Sequence, residues 1–196
     1  GESTHDIGQE IVHHACVFDK SAVTPFICHT RFPFDGVFGV ESTDEAVYRT
    51  VAHPLLHNIV QGNSSTIFLF GQTNTGKTHT MRAIEKSTAE ALFSLLDKQD
   101  DLLTRKVTLS CFELVGRKAL DLLVDTKTEI RLREEEDGCF RPHDCEELVA
   151  NHAEELMLGL RRAAERRATD ATAANFTSSR SHLVCRITVQ QNDRPA

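Results

Sequence analysis

The chain has 196 residues, 40% of them hydrophobic, which is enough apolar material for a single compact core and excludes a low-complexity polymer. Its formal net charge is −7, and it holds one tyrosine and no tryptophan, which argues against a nucleic-acid partner, whose surface would interleave basic groups with aromatics. No apolar run approaches the ~18 residues that span a bilayer, and residues 1–10 are too polar for a signal peptide, so no membrane partner is expected and a cytosolic location is.

In chain order, residues 26–34 read as hairpin or edge-strand material. Residues 43–61 have helical periodicity, and Pro54 should kink that helix because it lacks an N–H and crowds the preceding turn. Residues 66–70, TIFLF, form a short β-branched and aromatic run that fits a strand covered on both faces. A continuous helix is predicted over 76–98, with Ile84, Leu92, Leu95 and Leu96 near one face. Residues 106–114 form a strand, 129–140 a hairpin or edge, and 153–168 a charged helix. The last strand, 182–190, alternates Leu183, Cys185, Ile187 and Val189 against Val184, Arg186 and Thr188. There is no internal repeat and no linker, so residues 1–196 are expected to form one domain. The fold class is α/β, three-layered, with helices flanking a mixed and mostly parallel sheet.

Residues 71–78, GQTNTGKT, directly after the apolar run, fit G-x-x-x-x-G-K-[ST]. In such a loop Gly71 and Gly76 let backbone N–H groups close around phosphates, Lys77 reaches the β- and γ-phosphates, and Thr78 offers its hydroxyl to Mg²⁺. The helix that follows aims its N-terminal dipole at the same anion. Residues 175–182, NFTSSRSH, add a dense cluster of hydroxyls, one amide and one guanidinium, the groups that meet phosphate and metal; alone, they also fit a solvated Ser-rich loop.

These strings resemble the kinesin motor family, in which GQTxxGKTHTM is the phosphate loop and NxxSSRSH is switch I. FPFDGVFG at 32–39, VYRTVAHPLLHNIVQG at 47–62 and SCFELVGRKALDLL at 110–123 match further family strings in order, so the resemblance spans about residues 11–190. VYR followed by HPLL, with RLREEEDG at 131–138, is most similar to the microtubule-depolymerising branch. The resemblance implies a P-loop ATPase that binds ATP or ADP with Mg²⁺ and acts on microtubules in the cytoplasm and cytoskeleton. Residue by residue, it implies that Gly71, Gln72, Thr73, Asn74, Thr75, Gly76, Lys77 and Thr78 hold the phosphates and that His79 packs against adenine. Asn175 and Ser178 would approach the γ-phosphate. Ser179 would sense Mg²⁺ and the attacking water, so that Thr78 and Ser179 are the metal residues. Arg180 would pair with a switch II glutamate, making Lys77, Ser179 and Arg180 the catalytic set. Asn74 stands where the family usually has Gly or Ser, a substitution that Asn's tolerance of a left-handed backbone should accommodate.

Two family strings have no counterpart: R-x-R-P before residue 8, and D-x-x-G-x-E after switch I. The expectation is therefore a partial motor domain, lacking the first strand and everything from switch II onward. Its phosphate-loop strand should have unpaired backbone groups, and turnover by the chain alone should be slow. The alternative reading is a kinesin-derived interaction module that binds nucleotide weakly or not at all and does not hydrolyse it. A phosphate-loop kinase or GTPase of another family is disfavoured by the absence of N-K-x-D and of an Arg-rich lid. No coiled-coil heptads speak to the oligomeric state.

The six cysteines lack C-x-x-C spacing and are read as free thiols. Cys139, His143, Cys145 and His152 are close in sequence, but their irregular spacing disfavours zinc. His13 and His14 would point to opposite sides of a strand. Net acidity would oppose steering toward acidic tubulin, and residues 134–137, EEED, are read as a solvated hairpin tip. Arg161, Arg162, Arg166 and Arg167 form the basic cluster, read as a solvated helix face with local pairing.

Overall fold

The computed structural model describes residues 8–17, 26–72, 74–98, 103–126, 128–136, 138–173 and 181–193. Strands β1 (Gly8–Val17) and β2 (Phe26–Val37) form an antiparallel pair that sets His13 opposite Thr30 and His14 opposite His29. Helices α1 (Asp44–Val51) and α2 (His53–Val60) are the two halves of the expected helix. Thr43 caps α1 by accepting from the Ala46 N–H at 3.2 Å. The break falls at Ala52, with Pro54 in the first turn of α2, where its missing N–H costs nothing. Helix α3 (Lys77–Asp97) is continuous, as its periodicity predicts, and buries Ile84, Ala89, Leu92 and Leu96.

Strand β3 (Leu103–Val115) organises the main sheet. One edge pairs with β4 (Lys118–Asp121) through Phe112–Val115 and with β7 (Leu148–Ala150) through Val107–Leu109. The other edge pairs along its whole length with β8 (Ser181–Asp193), from Leu103 opposite Asp193 to Val115 opposite Ser181. Beyond β4 lie β5 (Glu129–Glu134) and β6 (Phe140–His143), the expected hairpin. Strands β3 and β8 run longer than their apolar alternation because the ladder continues through polar ends that hydropathy does not mark. Helix α4 (Ala153–Ala173) likewise extends past residue 168.

The fold class is α/β, as expected, but every ladder among the described residues is antiparallel, whereas a mostly parallel sheet is the sequence reading. Residues 66–70 read as a strand in the sequence. That segment carries no strand pairing. Its backbone groups are thus without ladder partners, as expected from the two family strings that have no counterpart, while β4, β7 and β8 occupy both edges of β3. The expectation of a strand covered on both faces is corrected in the same way. Ile67 packs against the core beside Val107, whereas Phe68 and Phe70 on the opposite side are 83% and 96% exposed.

One face of β3 carries the core. Leu109 and Cys111 pack with Leu156, Leu160 and Ala163 of α4, and Val107 packs with Leu92 and Leu96 of α3. Leu183, Cys185, Ile187 and Val189 lie directly opposite on β8 and face the same side, as their alternation predicts. Helix α4 comes this close because of Gly159: a Cβ there would lie 2.7 Å from Leu109 Cδ2 and 3.4 Å from a Leu148 methyl. Gly159→Val should therefore overpack this contact and cost about 1–3 kcal/mol. A thermal melt should show the midpoint falling by about 2–10 °C; an unchanged or raised midpoint would refute the close approach.

Candidate functional site

Residues 71–79 join the unpaired apolar segment to α3, and their backbone is unusual where the motif requires it. Asn74 has φ 67° and Gly76 has φ 88°, both in the left-handed region. The expectation for Asn74 thus holds, since its short polar side chain is among the few that tolerate this conformation. Gly71 is closely approached: a Cβ would lie 2.9 Å from Thr75 Oγ1. The loop is held closed from within, with Thr75 Oγ1 donating to the Gln72 carbonyl at 2.8 Å and Lys77 Nζ donating to the Gly71 carbonyl at 2.8 Å and to that of Gln72 at 2.5 Å.

The start of α3 is electrostatically open. Its N-cap, Gly76, offers no side-chain acceptor, and no acidic residue lies in the first turn. The first helical N–H groups therefore point at a position where an anion would satisfy them and gain from the helix dipole. Thr78 and His79 are exposed in this turn. His79 Nδ1 lies 3.7 Å from Asp44 Oδ1, which brings the starts of α1 and α3 together. Gly71, Gln72, Asn74, Thr75, Gly76, Lys77 and Thr78 thus lie together at the start of α3. Thr73, Asn175, Ser178, Ser179 and Arg180 lie outside the described residues.

The flanks of the second string are nonetheless placed, and they reveal a cluster that sequence reasoning missed. Glu113 of β3 is 7% exposed. Its Oε1 accepts from Ser181 Oγ at 2.5 Å and from Arg167 Nε at 3.0 Å. Arg167 Nη2 also donates to the Ser181 carbonyl at 3.2 Å. Arg162 and Arg166 reach outward to Asp125, at 3.9 and 3.0 Å. Three arginines of the basic cluster, Arg162, Arg166 and Arg167, are therefore paired with acids distant in sequence, partners that nothing in the i to i+4 pattern marks.

Asp121 is also buried, and its carboxylate accepts from the backbone N–H groups of Leu123 at 2.7 Å and Glu146 at 2.6 Å. It pins the connection between β6 and β7. The beginning of α4 is fixed by Glu155, whose carboxylate accepts from the Asn151 backbone N–H at 2.7 Å and its amide at 3.0 Å; the backbone bond, then the amide, lowers its pKa. Burial raises the Glu85 carboxyl in α3, and the charge of Arg82 opposes that shift.

Among the described residues, Cys111, Cys139, Cys145 and Cys185 form no disulfide, and no cluster of three or more metal-ligating side chains occurs. Cys111 donates to Cys185 across the ladder at 3.4 Å, and this bond together with burial pushes its thiol far up. Burial and then the charge of Asp121 push Cys145 up to about 12. Both stay protonated near neutral pH. His143 bonds to Glu135 at 2.7 Å, and His152 accepts from the Glu155 N–H at 3.4 Å, so the zinc alternative is not assembled. Glu134 and Glu136 are exposed at the hairpin tip, as expected, and Asp137 lies outside the described residues. No helix among the described residues is long and apolar enough to cross a membrane.

The left-handed backbone at residue 74 gives a direct test. Asn74→Gly should leave stability nearly unchanged, whereas Asn74→Val should cost about 1–2 kcal/mol. Denaturant midpoints would separate the pair; equal midpoints would mean that the loop backbone is not held in this conformation.

The chain matches the family model described as kinesin motor domain over residues 4–196. It is 33% identical over 177 residues to Diatom spindle kinesin-1 of Cylindrotheca fusiformis, covering 89% of this chain and 28% of that protein. It is 31% identical over 167 residues to Kinesin-like protein KIF19 of Homo sapiens, covering 82% and 17% respectively. With Kinesin-like protein KIN-7A of Oryza sativa subsp. japonica the identity is 32% over 191 residues, covering 96% and 19%. A solved chain described as "Structure of a fast kinesin: Implications for ATPase mechanism and interactions with microtubules" superposes with a TM-score of 0.80 at 24% identity, covering 93% of this chain and 55% of that one, a likeness of fold. The chain spans 17–28% of the length of these curated relatives.

Proposed function

This chain belongs to the kinesin motor-domain family, and we propose that it is the nucleotide-binding portion of a microtubule motor, taking ATP or ADP with Mg²⁺ on residues 71–79. The observation that carries this reading is the uncapped, acid-free start of α3, preceded by left-handed residues at 74 and 76 and by a lysine folded onto its own loop. Each feature suits a polyanion. Backbone N–H groups cradle the phosphates, and Lys77 exchanges the Gly71 and Gln72 carbonyls for phosphate oxygens, gaining charge-assisted bonds. Thr78 would hold Mg²⁺, which neutralises charge on the phosphates, and Ser179 would complete the metal's surroundings. His79, exposed one residue further along, would meet the base. Asn175 and Ser178 belong at the γ-phosphate, with Arg180 beside them.

Phosphoryl transfer demands positioning and charge neutralisation more than covalent chemistry, so Lys77, Ser179 and Arg180 are the residues assigned to the transition state. In the whole protein, nucleotide turnover would be coupled to movement along microtubules or to their depolymerisation, in the cytoplasm and on the cytoskeleton. The net charge of −7 means that contact with tubulin would rely on local groups rather than on long-range attraction.

Nucleotide at about 100 times its dissociation constant should stabilise the fold by roughly 2.7 kcal/mol. In a thermal-shift series this corresponds to about 5–10 °C. The shift should require Mg²⁺ for its full size, and Lys77→Ala should remove most of it. No shift at millimolar nucleotide would overturn this reading in favour of an interaction module of the same family.

A further inference from the structure

Cys111 on β3 and Cys185 on β8 stand directly opposite each other in the ladder, 74 residues apart in sequence. Opposite residues of an antiparallel pair have Cα atoms about 4.5–5.5 Å apart, inside the range of about 4.4–6.8 Å that a disulfide accepts. Both side chains lie on the core-facing side of the sheet, and their sulfur atoms are 3.4 Å apart. Closing that gap to a bond of about 2.05 Å needs an approach of about 1.4 Å, within reach of side-chain rotation and a small shift of the strands. The two thiols differ in access. Cys111 is fully buried, whereas Cys185 is half-buried. On its own Cys111 is a packing group, since the bond to Cys185 and burial both disfavour its thiolate.

We propose that Cys111 and Cys185 form a redox modification site: a peroxide converts the pair to a cross-strand disulfide that locks β8 onto β3, and a dithiol reductant reverses it. The reaction begins at the more accessible sulfur. The Cys185 thiolate attacks one peroxide oxygen and the O–O bond breaks, leaving a sulfenic acid on Cys185 and releasing hydroxide. Cys111 then gives up its proton, and its sulfur attacks that of Cys185; the S–O bond breaks and the oxygen leaves as water. In sum, two thiols and one hydrogen peroxide give one disulfide and two waters, the sulfur pair losing the two electrons that the peroxide gains. The low intrinsic reactivity of Cys111 is offset by its position, because a partner held in contact behaves as if at very high local concentration. The sulfenic acid therefore meets a thiol before it meets a second peroxide, which diverts it from irreversible oxidation. Joining residues 74 apart also restricts the unfolded chain, so the oxidised form is the more stable one.

The test exposes the full chain, first reduced, to hydrogen peroxide under native conditions, alkylates the remaining thiols and digests with trypsin in the absence of reductant. Cleavage after Lys106, Arg117, Arg180 and Arg186 places each cysteine in a peptide of its own, residues 107–117 and 181–186. The two peptides should be recovered joined, lighter than their sum by two hydrogens, and dithiothreitol should separate them. Two alkylated peptides with no joined product, joining of Cys111 and Cys185 indiscriminately to other cysteines, or a sulfinic acid on Cys185 beside an intact Cys111 thiol would each overturn the site.

Thermal melts read the lock. Oxidised wild type should melt about 5–15 °C above the reduced form. Cys185→Ala should lose this rise, and Cys139→Ser, at an exposed position outside the strands, should keep it. Should Cys185→Ala fail to fold, the comparison of wild type before and after dithiothreitol still decides. A joined peptide pair with an unchanged or lowered midpoint would overturn the lock.

Discussion

The main sheet and the helices packed on it are referred to β3, a strand paired on both edges and buried without interruption from Val107 to Glu113. Pairing with β8 along its whole length, and with β7 and β4 over residues 107–109 and 112–115, satisfies most of its buried backbone groups, which is the condition for burying a strand at all. Its core-facing residues then address different neighbours in turn: Val107 meets α3, Leu109 and Cys111 meet α4, and Glu113 meets the far end of α4 and the start of β8. The same strand thus sets where both helices lie. Gly159 shows how tight the arrangement is, since a single methyl group there would collide with Leu109.

The phosphate-loop segment lies outside the ladders around β3. Residues 66–70 are laid over the body by Ile67 alone among the members of the core beside Val107, with Phe68 and Phe70 outward. A helix beginning from such a segment needs another source of order, and the loop supplies one internally. Thr75 and Lys77 bind the carbonyls of Gly71 and Gln72, and the left-handed residues turn the chain into α3. The cationic side chain occupies the loop's own acceptors, leaving the helix N–H groups facing out. Such a loop is closed and still complementary to an anion.

Charge is distributed by burial. The exposed acids of the hairpin tip and the exposed Asp125 are screened, and they tune association more than stability. Among the described residues two carboxylates are buried and both are hydrogen-bonded: Asp121 by backbone N–H groups, Glu113 by a hydroxyl and a guanidinium. Each ties together elements that are far apart in sequence. The protonated thiols of Cys111 and Cys145 belong to the same interior, where burial disfavours the thiolate and keeps these cysteines as packing groups.

Much of this was legible in the sequence, because the periodicities and backbone preferences involved are local. The helix from Lys77, the break before Pro54, the inward set on β8, the hairpin after Glu129 and the left-handed tolerance of Asn74 all follow from neighbours within a few residues. The phosphate-loop string and its order relative to the other strings placed the chain in its family. Direction of pairing was not legible, because the antiparallel sheet depends on which strands claim the edges of β3, whereas the unpaired state of residues 66–70 was expected from the two missing family strings. Nor were the partners of Arg167, Arg162 and Arg166, which sit 54 and 41 residues away for Arg167 and Arg166. Amino-acid order determined which segments could be helix, strand or anion-binding loop, since those properties reside in local backbone and side-chain chemistry. Only the tertiary structure decided which edges pair and which charges meet, because both are settled by long-range packing around a single buried strand.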